Sequence, residues 1–302
     1  MKLLAAIDSS QSSNRVIDAI ASRPWPPKTA VCVLNVLDWQ ELPMNAALIQ
    51  EMKESARRLV MSACTRLVNA GLETNTAIFE GHPRTAIAEY AKEWAADFVF
   101  VGSRGAGQIA RLLLGSVAEA TLRRSLCSVE IVRQPGKESA NVSAAMKILV
   151  GTDGSEWSMA AVRSVAQRPW PAATQVRVIS VVPLIVPLGQ TVPIAPTYYP
   201  SSVMHDELLK ITRGRAEQAV AKADAILGTT GIRPIRGESL PFGDAREIVL
   251  DEAKSWGADL IVLGSRGYRG IDRFMLGSVS EAVAMHAHCS VEVIRESAKS
   301  GQ

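Results

Sequence analysis

Two stretches of the chain place glycines at a spacing suited to holding a phosphate. In the first, Gly102-Ser103-Arg104-Gly105 is followed after nine residues by Gly115-Ser116; in the second, Gly264-Ser265-Arg266-Gly267 is followed after nine residues by Gly277-Ser278. Glycines let a backbone come close to a ligand, and a helix opening at the last pair turns free N–H groups towards an anion. The serines carry a second reading. Ser116-Val117-Ala118-Glu119 and Ser278-Val279-Ser280-Glu281 both have the form of a capping box, in which the serine only caps its helix. A cap makes no demand for Gly102, Gly105 and Gly115 at fixed distances, so the doubled spacing favours the phosphate reading. Arg104 and Arg266 lie between paired glycines and lean towards a phosphate; Arg111 and Arg273, further along, fit a phosphate or solvent equally.

Asp8 and Asp153 each follow an apolar run that reads as a first strand. In an open parallel sheet, ligands sit beyond the carboxyl ends of the strands, where the winding reverses. An aspartate there faces its own glycine loop and a ligand's polar groups, but it equally suits the turn into the next helix. The residues alone leave both readings open. His286-Ala287-His288-Cys289 has metal-ligand types, yet the matching segment of the first half is Arg124-Ser125-Leu126-Cys127. A short cluster without a distant fourth ligand is weak support for a metal.

The elements that must position these residues are written twice. Lys2 to Asp8 returns as Lys147 to Asp153, and Arg23-Pro24-Trp25-Pro26 returns as Arg168-Pro169-Trp170-Pro171, both 145 residues on. Leu114-Gly115-Ser116-Val117 and Cys127-Ser128-Val129-Glu130 return 162 residues on, as Leu276-Gly277-Ser278-Val279 and Cys289-Ser290-Val291-Glu292. The added length falls mainly in a proline-rich segment, 183–202, read as a long loop. The division expected is a first domain over 1–134, a linker over 135–145, a second domain over 146–296 and a polar tail over 297–302.

Within the first copy, strand patterns near 3–8, 30–37, 73–80, 97–102 and 128–133 alternate with helical patterns over 11–22, 46–70, 83–95 and 116–125. Phe98-Val99-Phe100-Val101 and Leu260-Ile261-Val262-Leu263 are continuously apolar, as strands buried on both faces are. The fold class is therefore α/β: two tandem, doubly wound, five-stranded parallel-sheet domains of Rossmann-like type. The paired tryptophans Trp25/Trp170 and Trp94/Trp256 read as packing residues.

Composition narrows the function classes. With 33 basic against 30 acidic residues and no basic run, nothing points to nucleic acid. No stretch approaches the roughly 18 to 20 apolar residues of a membrane span, and the N-terminal apolar run is too short for a signal peptide. A soluble, cytoplasmic protein is expected. The cysteines Cys32, Cys64, Cys127 and Cys289 show no CxxC spacing and read as inert thiols. A Walker loop places lysine between its last glycine and Ser/Thr, whereas Ser116 follows Gly115 directly. No dinucleotide fingerprint follows the first strand. No residue stands out as a catalytic base.

Taken together, these residues resemble the universal stress protein family in its tandem-domain form. The pattern G-2x-G-9x-G-S/T is that family's ATP-binding signature, and the first strand ending in Asp and the late Cys-Ser-Val-Glu strand also match. The resemblance implies an adenine nucleotide, ATP with Mg²⁺ or else AMP or ADP, as ligand. It assigns phosphate and ribose contacts to Gly102, Gly105, Gly115, Ser116 and Val117, and to Gly264, Gly267, Gly277, Ser278 and Val279. It places Arg104 and Arg266 along the pocket, Asp8 and Asp153 on the nucleoside, and the backbone of Val36 and Val181 on the adenine. It also implies that the copies pair internally through 129–133 and 291–295, and that two chains pair again. The expected function is a regulatory one in the stress response, with a slow ATPase as the alternative.

Overall fold

The computed structural model describes residues 1–38, 45–105, 114–133, 145–183, 202–232, 234–236, 240–267 and 276–295. The linker up to residue 144, nearly all of the proline-rich insertion, the polar tail, Arg111 and Arg273 lie outside the described residues.

The first half runs β1 (Lys2–Ala6), α1 (Gln11–Ala21), β2 (Ala30–Leu37), α2 (Ala46–Asn69), β3 (Glu73–Glu80), α3 (Pro83–Glu93), β4 (Phe98–Gly102), α4 (Ser116–Arg124) and β5 (Ser128–Val132). The second half repeats the order as β6 (Lys147–Gly151), α5 (Glu156–Gln167), β7 (Gln175–Ile179), α6 (Ser202–Gly228), β8 (Ile235–Arg236), α7 (Ala245–Trp256), β9 (Leu260–Gly264), α8 (Ser278–His286) and β10 (Ser290–Ile294). Element types and order follow the sequence patterns closely. The first strand ends at Ala6, so Asp8 sits in the turn beyond it.

The strand order is β3-β2-β1-β4-β5-β10-β9-β6-β7-β8, one ten-stranded sheet. Every pairing is parallel except the central one, where β5 and β10 run antiparallel with Val291 opposite Ile131, Glu292 opposite Glu130 and Val293 opposite Val129. The internal pairing of the copies expected through the last strands is thus present, and it fuses two five-stranded sheets into one.

Apolar runs on β1, β4, β6 and β9 bury both faces of this sheet. One face is covered by α1, α2, α5 and α6, whose Val16, Ile17, Val60, Leu67, Val162 and Leu227 form a single core. The opposite face is covered by α3, α4, α7 and α8, through Ile87, Leu122, Val249 and Val283. Both cores continue across the β5–β10 junction. The repeated Trp25 and Trp170 pack as expected, donating to Ile20 O and Val165 O at 2.8 Å. Trp94 and Trp256 lie under Lys2 and Lys147, with the ammonium groups 5.3 and 5.8 Å from the ring centres.

Because β1 is bordered by β2 on one side and β4 on the other, the winding reverses between β1 and β4. That reversal opens a crevice at the carboxyl ends of β1 and β4. The same break lies between β6 and β9.

Candidate functional site

In the first half the crevice is a cavity of about 330 Å³, within the usual range for small-ligand sites. Asp8, Val36, Gly102, Arg104, Gly105, Gly115, Ser116 and Val117 all line it. So do Ile7, Ser13, Leu34, Pro83, Ile87 and Ala118, which the glycine pattern did not single out. The cavity has two ends. Leu34, Val36 and Ile87 make an apolar wall; the loop glycines and the start of α4 make a polar one.

Each glycine of the loop answers a different contact. A Cβ on Gly102 would lie 2.5 Å from the Cβ of Ser12, so this glycine is needed for α1 to pack on β4. A Cβ on Gly105 would lie 2.9 Å from Asp8 Oδ2, so this glycine lets the carboxylate reach the loop. Gly115 crosses Ser103 and Arg104 closely, with its N–H donating to Ser103 O at 2.8 Å. That bond closes the loop and aims the first turn of α4 into the cavity.

The capping-box reading of Ser116 fails here. The N-cap of α4 is Gly115 and that of α8 is Gly277, neither with a side-chain cap bond; Ser116 and Ser278 are the first helical residues. The first-turn N–H groups lack intrahelical acceptors by geometry, and Ser116 faces the same cavity. Where the fold does use a serine cap, Ser155 accepts from Ser158 N at 3.3 Å.

Asp8 is held in one orientation. Its Oδ1 accepts from Ser10 N at 3.0 Å, Ser10 Oγ at 2.5 Å and Ser13 Oγ at 2.7 Å. Its Oδ2 is the atom turned to Gly105. The turn reading and the ligand-facing reading of Asp8 are therefore compatible, each using one oxygen. The repeated Asp-x-Ser-x-x-Ser spacing (Asp8, Ser10, Ser13; Asp153, Ser155, Ser158) was the available signal for Ser13. Behind the apolar wall, Tyr90 Oη lies 3.6 Å from Cys32 Sγ, and burial raises both groups, so each keeps its proton.

Residues 1–133 and 145–295 each match the family model described as the universal stress protein family. The chain belongs to the universal stress protein family. A universal stress protein of Mycolicibacterium smegmatis is 26% identical over 305 residues, covering 97% of this chain and 96% of the relative. One from Mycobacterium tuberculosis is 28% identical over 290 residues, covering 90% of this chain and 88% of the relative. The crystal structure of a universal stress protein from Archaeoglobus fulgidus matches 99% of this chain and 97% of its own, with TM-score 0.65 and 21% identity, a likeness of fold.

The two crevices of this universal stress protein differ in detail. In the second, Asp153 Oδ2 lies 2.6 Å from where a Cβ on Gly267 would stand, and Gly277 N donates to Ser265 O at 2.8 Å, as in the first. Thr152 replaces Ile7, however, and its hydroxyl lies 3.0 Å from Ser158 Oγ. Trp157 replaces Ser12, and the Arg266 guanidinium stacks 4.3 Å from its ring centre. Val181 lies two residues beyond the end of β7, whereas its counterpart Val36 lies within β2.

Elsewhere the metal reading of His286, His288 and Cys289 gains no partner: no group of three metal-ligating side chains occurs among the described residues. Burial pushes the Cys127 thiol up to about 11 and Cys289 to about 12, so both stay protonated. No helix among the described residues is long and apolar enough to cross a membrane.

Proposed function

We propose that this universal stress protein binds an adenine nucleotide in each half and acts as a nucleotide-dependent regulator in the stress response. One observation carries the reading: an apolar wall, an oriented carboxylate and the open start of a helix meet in a single cavity. The adenine would lie against Leu34, Val36 and Ile87, with the backbone at Val36 and Val181 reading its edge. Asp8 and Asp153 would accept from the ribose. The phosphates would rest on the N–H groups at Gly115–Val117 and Gly277–Val279, with Ser116, Ser278, Arg104 and Arg266 alongside. Mg²⁺ fits such a site as a companion of ATP, since it is commonly held by phosphates, water and at most one or two carboxylates. Asp8 is the carboxylate at hand. Binding then changes which surface the protein offers to a partner, a second copy of the chain among them.

The test is direct. Protein purified without added ligand is analysed by mass spectrometry for co-purified nucleotide, and stripped protein is titrated with ATP, ADP and AMP by calorimetry. Up to two adenine nucleotides per chain are expected; no heat and no bound nucleotide would sink the reading. Steady release of phosphate from ATP, abolished by Gly115→Val with Gly277→Val, would favour the alternative of a slow ATPase.

A further inference from the structure

The two phosphate-facing helices share one cation. Arg123 lies near the end of α4, with Nε 3.2 Å from Glu119 Oε1 in the same helix. Its guanidinium also pairs with Oε1 of Glu281, which stands in the first turn of α8 in the other half. Glu119 and Glu281 occupy matching places, each in the first turn of the helix that opens its crevice. The repeat is broken at the arginine itself: the residue of α8 that matches Arg123 is Met285. Among the described residues, one positive charge from these helices therefore serves two acidic first turns, where a symmetric pair of helices would carry two.

This arrangement has an electrostatic consequence. A carboxylate in a first turn suits the helix dipole but opposes an arriving phosphate. One turn is about 5.4 Å, inside the screening length of about 8 Å at physiological salt. Arg123 offsets both carboxylates at once. Phosphates in one crevice draw the guanidinium towards that helix and leave the other carboxylate less well neutralised. We infer that Arg123 is a positioning residue common to both nucleotide sites and that sharing it makes them anticooperative. The inference rests on the nucleotide-binding reading above and adds its regulation.

Arg123 is half-exposed, as are the carboxylates in part, so the effect is of exposed-pair size. That corresponds to about two- to fivefold in affinity. The measurement is ATP titration by calorimetry of the full chain, of Gly105→Val with only the second site open, and of Gly267→Val with only the first. In the wild type the product of the two dissociation constants should exceed the product from the single-site variants by about two- to fivefold. That excess should vanish in Arg123→Met, which copies the second half, and also in Met285→Arg, which gives each helix its own cation. Arg123→Met should weaken both sites, whereas Met285→Arg should weaken neither. ATP binding with no excess in the wild type, or an excess surviving Arg123→Met, overturns the inference and leaves the nucleotide reading standing. No ATP binding at either wild-type site overturns both.

Discussion

Glu130 and Glu292 face each other directly across the β5–β10 junction, and both side chains are fully buried. Each is clamped by the arginine of its own Arg-Pro-Trp-Pro segment. Arg23 holds Glu130 at 2.6 and 2.7 Å, and Arg168 holds Glu292 at 3.0 and 2.6 Å. Two motifs that repeat without obvious chemistry thus meet at the centre of the molecule, where they join the halves. Such a cluster is a doubtful source of net stability, because taking four charges out of water is costly. Its geometry does require the antiparallel register, since a slip by one residue turns a glutamate to the other face.

Removing one partner from this cluster leaves a buried charge uncompensated. Arg23→Ala should cost on the order of 3–5 kcal/mol in urea unfolding. Burial pushes the Glu292 carboxyl above the usual range against the pull of Arg168, and Glu130 opposite adds to the rise. Folded Glu292 thus holds its proton more tightly than the unfolded chain does. Its contribution to stability is complete below the ordinary glutamate value of 4.5 and is lost as pH rises through the higher folded value. Glu292→Gln, neutral at every pH, should gain on the wild type as pH rises from the ordinary glutamate value of 4.5 through the higher folded value. A pH-independent difference between the two proteins would remove Glu292 from this account.

The junction is also tied by arginines that cap the neighbouring half's helices. Arg133, after β5, donates to the carbonyls of Ala284, Met285 and Ala287 at the end of α8. Arg295, after β10, donates to Leu122 O near the end of α4 at 2.9 Å. Cations suit helix C-termini, and a planar fork serves several carbonyls better than an ammonium. Arg133→Ala should cost about 2 kcal/mol in denaturant unfolding, and Arg295→Ala less. Lysine should restore little at position 133. Equal losses at the two positions would contradict the difference in their bonding.

The first glycine of each loop is set by packing, so its substitution should be read as stability before binding. A methyl at Gly102 meets the Ser12 side chain at 2.5 Å, whereas one at Gly264 meets the Trp157 carbonyl oxygen at 2.4 Å. A side chain can be removed, but a backbone carbonyl cannot. Gly102→Ala should cost about 1–3 kcal/mol, with Ser12→Gly recovering a good part. Gly264→Ala should cost more, and Trp157→Gly should recover little. Thermal unfolding of the single and double variants decides the point.

These contacts mark what the sequence disclosed and what it withheld. The sheet was legible because Phe98–Val101 and its repeat are continuously apolar and the glycine loops bracket a helix start. The placing of Asp8 against Gly105 followed from β1 lying beside β4. The capping box, the reading of Ser116 that the glycine spacing outweighed, is out of step by one position: with Gly115 at the cap, Ser116 is the first helical residue. The partners of Arg23 and Arg168 were hidden for another reason. They lie 107 and 124 residues away in sequence, and only the sheet order brings them together. The sharing of Arg123 was hidden too, because it depends on Met285 breaking the repeat across two helices that no local pattern places side by side.

Ser116 and Ser155 offer the sharpest separation of a ligand-facing serine from a capping one. Both precede helical residues in the same tandem fold, but only Ser155 spends its oxygen on a helix N–H. Ser155→Ala should therefore lose about 1 kcal/mol of stability. Ser116→Ala removes no cap, so its unfolding free energy should stay within about 0.5 kcal/mol of the wild type. Ser116 lines the first cavity, and losing a hydrogen bond to a charged phosphate should weaken binding by about ten- to a hundredfold. Calorimetry on a Gly267→Val background isolates that site, and Ser116→Thr should recover most of the affinity. If Ser116→Ala instead lowers stability as Ser155→Ala does and leaves ATP affinity unchanged, the serine is a cap after all, and the phosphate end of the site must be redrawn around the backbone alone.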